Sequence, residues 1–323
     1  MRISVIVSNF NGARYLPRLL DSLGAQRGVD LELIVVDRDS RDGSGAILAG
    51  RAGVAVLQEP PETGLAAGYA RGAARASGEL LFFCNEDMWF DPDCLRLLQE
   101  AIDLTRGIVA ADPWQWRYDG SAWIHGGVRF REAAWDLDSP YPFRRFDFVA
   151  PLEAGAAIPL ACAGAFLIHR GMFEAAGGWD TRFFLNDEDT DLFLRVWQRE
   201  WRCVTVPAAR VFHDVGASNA QHLSALRLTV GKRRYISTFA SKAILGVKYF
   251  GFPACLLPVA GYAVRLGSNL VKCRPVRVGW DLRVLAEILR RLPSALGFRR
   301  RNAAWNRRKP GEGFFRDPGF SGS

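Results

Sequence analysis

The sequence is poor in the features that mark secreted, zinc-binding and membrane-spanning proteins. Its six cysteines form no CxxC pair and are widely spaced, which indicates reduced thiols and no zinc knuckle. The chain enters a strand pattern directly after Met1, so we expect no secretory signal peptide. Residues 249–264 are uncharged but are interrupted by Pro253 and Pro258, and a spanning helix needs about 20 apolar residues. These absences favour a cytosolic protein.

The common glycine-rich phosphate loops are also missing from the sequence. No GxGxxG follows the first strand pattern, and no GxxxxGK[ST] occurs anywhere. This argues against a dinucleotide dehydrogenase and against a P-loop enzyme. A nucleotide bound without either loop needs its diphosphate neutralised in another way, and we expect a metal ion to do this.

Acidic residues are scarce in the last third of the chain. Residues 216–323 contain 20 Lys and Arg but 4 Asp and Glu, whereas the whole chain has 42 basic and 34 acidic residues. The last third therefore carries +16 and the rest −8, for a net charge of +8. Such a segment is expected to meet an anionic partner, and phospholipid and nucleic acid are both candidates on charge alone.

The apolar residues of this basic segment favour phospholipid. They form short runs between the basic residues, such as 284–285 and 288–289, which suits a lipid interface or a packed helix better than a phosphate groove. We therefore predict a cytoplasmic protein, peripheral on the inner face of the cytoplasmic membrane, with no nucleic-acid partner. An ordinary pair of core helices is the alternative for residues 249–264.

The first third of the chain alternates strand and helix patterns. Apolar strand-like runs at residues 3–7, 31–36, 54–57 and 80–84 are separated by segments with helical spacing of leucines or small residues. This order predicts an α/β fold with a parallel sheet and right-handed crossovers. At 323 residues, the chain is long enough for two packed halves and an additional segment.

Polar residues follow these predicted strands where each one ends. They are Ser8, Asn11, Asp37, Asp39, Asn85, Glu86 and Asp87, and the glycines Gly64 and Gly68 follow the third strand. Because the carboxyl ends of parallel strands meet at one edge, we expect these residues to form one crevice. Adjacent carboxylates there can hold Mg²⁺ or Mn²⁺, and the glycines allow close approach of a phosphate or ribose. The alternative for 85–87 is an acidic turn at a strand end.

A second acidic pair, Glu188 and Asp189, opens a predicted helix. Carboxylates are favoured in the first turn of a helix by its dipole, which is the structural interpretation. The functional interpretation is a general base that takes a proton from an attacking hydroxyl. His213 comes 24 residues after Asp189, and a histidine that returns to an acidic crevice can be a metal ligand.

Residues 112–147 break the pattern and are rich in aromatic residues. We predict a loop-like insert whose rings either stack on the apolar face of a ligand such as a sugar or pin the insert to the body of the protein.

Several runs together resemble the inverting family 2 glycosyltransferases, and the later ones resemble their rhamnosyltransferase-like branch. The runs are 4–12, 36–44, 64–68, 85–87, 177–180, 183–184, 188–192 and 207–213. The resemblance covers about residues 3–215. It implies a glycosyltransferase-A fold, a Rossmann-like mixed sheet, to which a basic C-terminal helical appendage is added.

The resemblance also implies roles for individual residues. Ser8, Asn11 and Asp37, with Asp39 beside them, would line the pocket for the base and ribose of a nucleotide sugar. Asp87 would hold the metal and diphosphate, with Asn85 and Glu86 beside it, and His213 would be an additional metal or diphosphate ligand. Asp189 would be the catalytic base, and Glu188 its neighbour on the acceptor side.

These observations lead to one functional expectation with two alternatives. We expect a metal-dependent hexosyltransferase that moves a sugar, with rhamnose a candidate, from a UDP- or dTDP-sugar to a glycan or lipid-linked acceptor of the bacterial cell surface. Residues 1–105 would bind the donor, 106–215 the acceptor, and 216–323 the membrane. The alternatives are a nucleotidyltransferase on a similar sheet, which should have a glycine- and arginine-rich first loop, and a non-catalytic sugar-nucleotide-binding scaffold.

Overall fold

The computed structural model describes residues 1–61, 63–125, 128–130, 146–148, 157–158, 164–214, 240–241, 243–249, 253–273 and 275–301. These residues fall into two compact units. The α/β unit comprises those within Met1–Arg129, Phe148–Phe184 and Glu188–Gly231. The helical unit comprises those within Phe130–Asp147, Leu185–Asp187 and Lys232–Ser323.

Twelve strands occur in the described residues. They are β1 (Arg2–Asn9), β2 (Asp30–Asp37), β3 (Val54–Gln58), β4 (Leu80–Asn85), β5 (Met88–Phe90), β6 (Ile108–Arg117), β7 (Trp123–His125), β8 (Val128–Phe130), β9 (Phe146–Phe148), β10 (Ala157–Ile158), β11 (Ala165–His169) and β12 (Arg202–His213).

The helices are α1 (Leu16–Gly24), α2 (Ser44–Ala49), α3 (Leu65–Arg75), α4 (Cys94–Glu100), α5 (Arg170–Ala175), α6 (Glu188–Trp197), α7 (Pro253–Val271) and α8 (Pro275–Arg301), with a 3₁₀ turn at Leu104–Arg106. Residues 240–241 and 243–249 are also helical.

The main sheet has the order β10-β12-β6-β11-β4-β1-β2-β3, with β5 added on β12 and β7 on β6. Strands β1 to β4 are parallel, which confirms the predicted parallel arrangement of the first third. Because β11 runs antiparallel to both β4 and β6, the complete sheet is mixed. The predicted α/β class is therefore confirmed, and the basic C-terminal segment contains helices, as expected.

The parallel strands form because their residues are apolar on both faces. In β1 every residue from Ile3 to Asn9 is buried, and β4 is buried from Leu80 to Cys84. Helix α1 covers one side of the sheet with four leucines, Leu16, Leu19, Leu20 and Leu23, at helical spacing. Burial of each such side chain contributes about 1.5–3 kcal/mol, so this packing fixes where the strand ends lie.

The aromatic insert begins later than predicted. The first six residues of the predicted insert, 112–117, which include Trp114 and Trp116, belong to strand β6 between β11 and β12 instead of to a loop. The polar side chains of Asp112 and Gln115 break the apolar pattern of this strand, but both are fully buried. Trp123 begins β7, whereas Trp135, Tyr141 and Phe143 lie outside the described residues.

Strand β12 is also longer than the sequence suggested. The sequence Cys203-Val204-Thr205-Val206 predicts a strand that ends at Pro207, but the observed strand continues to His213. A β-bulge between Val206 and Arg210 accommodates the proline, because the ladder to β6 is interrupted there. This extension carries His213 to the start of β5, where it pairs with Met88.

The helical unit is built on contacts between α7, α8 and the helical residues before them. Ala240, Ala243, Val284 and Ile288 form its buried cluster, with Val259 and Leu285 packed against it. Asn269 donates a 2.7 Å hydrogen bond to Asp281, which ties the end of α7 to the start of α8. None of the helices in the described residues is long and apolar enough to cross a membrane.

The predicted stretch 249–264 divides between the interior and the surface of this unit. Tyr249 is 5% exposed and meets the Phe298 ring edge-on, so it belongs to the core. Val264 lies in α7 and is 74% exposed.

Candidate active site

Strands β1 and β2 end side by side, and their polar residues bond to each other. Asn9 pairs with Asp37 in the register and donates a 2.7 Å hydrogen bond to its carboxylate. Ser40 also donates to Asp37, and it accepts from the backbone N–H of Asn11 at 2.9 Å. The predicted Asp37 therefore holds the two strand-end loops together, with its carboxylate 2% exposed.

The other predicted residues of these loops lie close by. Asn11 and Asp39 both have left-handed backbone with φ of 54°, a conformation that Asn and Asp tolerate better than most residues. The Asn11 side chain accepts from the backbone of Arg41 at 2.9 Å, and Arg41 also pairs with Asp39. Ser8 is fully buried one residue before the end of β1.

The glycines at the start of α3 pack against protein backbone and side chains. A Cβ added to Gly64 would lie 2.6 Å from the carbonyl oxygen of Phe184, which accepts from Leu65 at 2.7 Å. At Gly68 the nearest atom would be Val36 Cγ1 at 3.5 Å. Gly64 thus allows the start of α3 to approach residue 184, which is a packing role. Contact of Gly64 and Gly68 with the donor remains a prediction.

Asn85 at the end of β4 is held by an aromatic group. Tyr69 of α3 donates a 2.9 Å hydrogen bond to the Asn85 side chain and stacks on Trp179, with ring centroids 5.3 Å apart. Trp179 belongs to the run 177–180, so this stacking connects two of the motifs recognised in the sequence.

Glu86 is buried beside a positive charge. It is 5% exposed, and burial raises its pKa to about 8, with the Asp87 carboxylate adding to the rise and the Arg38 guanidinium opposing it. Burial also lowers the pKa of Arg38, and the carboxylates of Glu86, Asp37 and Glu188 oppose that shift. Arg38 therefore interacts with acidic residues from both predicted clusters.

Asp87 faces His213 across the ends of β4 and β12. Its carboxylate is 1% exposed and accepts no hydrogen bond from the described residues. The Nε2 atom of His213 lies 3.2 Å from Asp87 Oδ1, and its Nδ1 atom lies 2.9 Å from Gln115 Oε1. If Nδ1 donates its proton to Gln115, the Nε2 lone pair faces the carboxylate, and these two electron-rich groups repel each other unless a cation lies between them. If Nε2 carries a proton, that proton faces the Asp87 carboxylate instead.

The backbone next to this pair is anchored by Tyr15. The Asp214 backbone N–H donates to the Asp87 carbonyl at 3.0 Å, and Tyr15 donates a 2.6 Å hydrogen bond to the Asp214 side chain. Burial and this hydrogen bond raise the pKa of Tyr15 well above its ordinary value. The link holds α1 to the residue that follows His213.

Helix α6 begins with the second acidic cluster. Glu188 is buried, and Asp189 is half-buried and accepts a 2.7 Å hydrogen bond from the Thr190 backbone N–H. Asp191 instead forms a buried ion pair with Arg195 at 2.9 Å, and Arg195 also donates to the Ala176 carbonyl. In the first turn, the Asp189 carboxylate is therefore partly exposed to solvent, whereas the Asp191 carboxylate is buried in an ion pair.

The donor set at Asp87 fits a divalent cation that is completed by other ligands. Within the described residues, no group of three or more His, Cys, Asp or Glu side chains converges as a metal site. One carboxylate and one imidazole are present and lie close together, with the Asp87 side chain 1% and the His213 side chain 11% exposed. Mg²⁺ and Mn²⁺ often take one or two protein ligands and complete their shell with phosphate oxygens and water.

Three residues of the site escaped the sequence analysis. Gln115 lies on β6, where the aromatic-rich sequence predicted a loop. Tyr15 fitted the apolar face of α1, and its hydroxyl partner is 199 residues away. Arg38 departs from the family pattern, in which Asn or Asp is usual, but the sequence could not assign it these carboxylate neighbours, because they come from separate segments.

A protein-family model described as "Glycosyl transferase family 2" matches residues 4–177. An uncharacterized glycosyltransferase of Nostoc sp. is 35% identical over 104 residues, which are 31% of this chain and 32% of that relative. One of Bacillus subtilis is 23% identical over 87% of this chain and 96% of its own length. The N-acetylglucosaminyl-diphospho-decaprenol L-rhamnosyltransferase of Mycobacterium tuberculosis is 24% identical over 69% of this chain and 80% of its own.

Solved structures show the same fold at low identity. GalNAc-T7, crystallised with UDP, GalNAc and Mn²⁺, is 20% identical with a TM-score of 0.53, covering 66% of this chain and 44% of that one. A mannosyltransferase from Pyrobaculum calidifontis in complex with GDP-Man and Mn²⁺ is 18% identical with a TM-score of 0.51, covering 90% and 87%. These likenesses confirm the expected glycosyltransferase-A fold.

Proposed function

Since this chain belongs to glycosyl transferase family 2, we propose that it is an inverting, metal-dependent enzyme that moves a sugar from a nucleoside-diphosphate sugar to a glycan or lipid-linked acceptor. The observation that carries the proposal is the buried contact between Asp87 and His213, at the edge of the sheet where β1, β2 and β4 end. This is the place where open α/β sheets bind ligands.

The donor would lie along this edge of the sheet. Its base and ribose would lie over the loops joined by Asp37, with Ser8, Asn11 and Asp39 as predicted contributors, and its diphosphate would point to Asp87 and His213. A divalent cation held by these two residues would neutralise the negative charge that develops on the departing diphosphate. Two structural neighbours are complexes that contain Mn²⁺, which supports this requirement.

The reaction would be one displacement at the anomeric carbon. The acceptor oxygen forms a bond to that carbon as the bond to the diphosphate oxygen breaks, and the electron pair leaves with the nucleoside diphosphate. Asp189 would receive the acceptor's hydroxyl proton, because it is half-buried and an acceptor from solvent can reach it. Glu188 would be its neighbour on the acceptor side. One displacement inverts the configuration of the sugar.

Surface glycan synthesis at the cytoplasmic membrane is the setting that we propose. A relative acts on a decaprenol-linked sugar by its name, and others are glycosyltransferases of PGL/p-HBAD biosynthesis. Rhamnose is therefore the first donor sugar to test. The basic C-terminal segment would hold the enzyme at the membrane where a lipid-linked acceptor lies.

The experiment is a product-release screen of UDP-, GDP- and dTDP-sugars with Mg²⁺ or Mn²⁺. We expect release of nucleoside diphosphate from one donor class, abolished by EDTA. Release of pyrophosphate from a nucleoside triphosphate would instead support the nucleotidyltransferase. Tight donor binding without any turnover, with every acceptor offered, would support the scaffold protein.

A further inference from the structure

Exposed large apolar side chains concentrate in α7 and α8. Among the described residues, those exposed in the α/β unit are Met1 and Leu104. The others, all in α7 and α8, are Val264, Leu270, Val271, Val276, Leu282 and Leu289. Contiguous exposed apolar surface on a protein usually marks a site that another molecule covers.

Among the described side chains of α7, those of the exposed face near its C-terminal end are uncharged. Val264 and Val271 are seven residues apart, hence on the same face, and are 74% and 85% exposed. Gly267 lies between them on this face and is also exposed. The helix contains a single charged residue, Arg265, in its nineteen residues. In water this face would remain unfavourably hydrated.

Helix α8 presents an apolar stripe opposite its packed face. Val284 and Ile288 are fully buried in the core of the helical unit. Leu282 and Leu289 are again seven residues apart and are 51% and 62% exposed. The core of the unit therefore does not use this stripe.

The charge beside these faces is positive. Helix α8 contains seven arginines against Asp281 and Glu287. Both acidic residues are engaged within the unit, because Asp281 accepts from Asn269 and Glu287 pairs with Arg290 and Arg291. Exposed cations, among them Lys272 and Arg283, therefore border the apolar residues without a matching exposed anion in α8.

We infer that the outward faces of α7 and α8 bind the surface of an anionic phospholipid bilayer, with the two helices lying in its interface. This inference rests on the membrane setting of the proposed function and names the surface responsible. Apolar residues bordered by cations match the acyl boundary and the anionic headgroups, respectively. A second copy of the chain would bring the same positive charge to the contact, which disfavours self-association through these faces.

The test compares two double substitutions on vesicles. Full-length protein is sedimented with vesicles that contain phosphatidylglycerol and with vesicles of phosphatidylcholine alone, at low and high salt. We expect binding to the anionic vesicles, weakened by salt. Val264→Gln with Val271→Gln should lower the vesicle partition coefficient about tenfold or more, because both side chains lose apolar burial. Arg283→Gln with Arg290→Gln should lower it mainly at low salt.

The matched control is Leu104→Gln, which removes an exposed leucine from the α/β unit and should leave partitioning unchanged. Wild-type partitioning by the valine double variant would overturn the inference, as would equal binding to neutral and anionic vesicles. Sedimentation velocity measures whether the wild type and the valine double variant are monomers or dimers. A wild-type dimer that the valine substitutions convert to a monomer would show that a second copy covers these faces and would contradict the inference.

Cys273 offers a second, independent measurement. It is exposed in the turn between α7 and α8, whereas Cys84, Cys94 and Cys203 are buried. In a chain with Cys162→Ser and Cys255→Ser, a polarity-sensitive dye on Cys273 should shift to the blue with anionic vesicles. Vesicle-bound protein without that shift would place the contact elsewhere and overturn the inference.

Donor hydrolysis in solution separates this inference from the proposed function. The valine double variant should hydrolyse the donor at the wild-type rate without lipid, because the substitutions lie outside the residues assigned to the donor. Absence of hydrolysis in the wild type as well would sink the proposed function and leave the vesicle results as the test of the surface.

Discussion

The two acidic clusters of the α/β unit place their carboxylates in different surroundings. At the end of β4, Glu86 and Asp87 are nearly inaccessible, and the Asp87 carboxylate lies against His213 without accepting a hydrogen bond from the described residues. At the start of α6, Asp189 is half-buried and accepts a hydrogen bond from the backbone N–H of Thr190. The first cluster has a carboxylate that is shielded from solvent beside an imidazole, and the second has a carboxylate that solvent can reach.

This difference suggests a division of roles between the clusters. A buried carboxylate beside an imidazole is costly to maintain unless a positive charge joins them, which suits the diphosphate end of a donor. A general base must meet an acceptor that arrives from solvent, so partial exposure suits Asp189. The Arg38 guanidinium interacts electrostatically with Glu86 of the first cluster and with Glu188 of the second.

The largest expected effect sharpens the comparison at α6. Asp189→Asn should lower turnover by a factor of about 10² to 10⁴, because the amide cannot take the acceptor's proton. Donor binding should stay nearly unchanged, since the donor contacts are elsewhere. The measurement is nucleoside diphosphate release at saturating acceptor, together with calorimetric donor affinity.

The matched control is Asp191→Asn, two residues along the same helix. Asp191 is buried with Arg195, and losing one partner of a buried ion pair typically costs about 3–5 kcal/mol, so this variant should unfold at lower denaturant. Near-wild-type turnover of Asp189→Asn beside an inactive Glu188→Gln would show that the base is the other member of the pair.

A smaller effect is expected from Gln115, a positioning residue for His213. Gln115→Leu removes the partner of Nδ1, and loss of such a partner typically weakens metal binding about 10- to 100-fold. The measurement is Mn²⁺ affinity by electron paramagnetic resonance, with nucleoside diphosphate present.

The control is Gln198→Leu, which removes another buried glutamine directly after α6 and should keep Mn²⁺ affinity. A merely structural Gln115 would lower the stability of the variant to unfolding but leave Mn²⁺ affinity as in the wild type. That result would show that Gln115 does not position His213 for metal binding.

The smallest effect concerns the anchor behind the Asp87 site. Tyr15→Phe deletes the hydrogen bond to Asp214 and should lower the free energy of unfolding by about 1 kcal/mol, since water can reach the half-buried carboxylate. Urea denaturation measures this change. An unchanged unfolding midpoint would mean that the Tyr15 link adds nothing to the support of the site.

The first four strands could be predicted because their apolar runs are local signals. The runs of β1 and β4 are buried on both faces, whereas β3 and the first half of β2 are partly buried. Each run ends at a polar residue, so the strand ends followed from the sequence. Their convergence followed from the parallel connection, as the register of Asn9 with Asp37 confirms.

The elements that were missed depend on contacts distant in the chain. Strand β6 contains Asp112 and Gln115, whereas buried central strands are ordinarily apolar, so the sequence predicted a loop there. The strand forms because it pairs with β11 and β12. The extension of β12 past Pro207 depends on a bulge against the same strand. Gln115 could not be assigned a role until both strands were in place, because its partner His213 lies 98 residues away.

The most direct test of the account is nucleotide binding by Asp87→Asn. Calorimetry would measure the affinity for the nucleoside diphosphate that the donor screen identifies, with Mn²⁺ and with EDTA. If Asp87 and His213 hold the cation of the diphosphate, the wild type should bind much more tightly with Mn²⁺. The variant should lose that difference while its melting temperature is kept. Equal affinity of the two proteins, both with Mn²⁺ and with EDTA, would contradict the account.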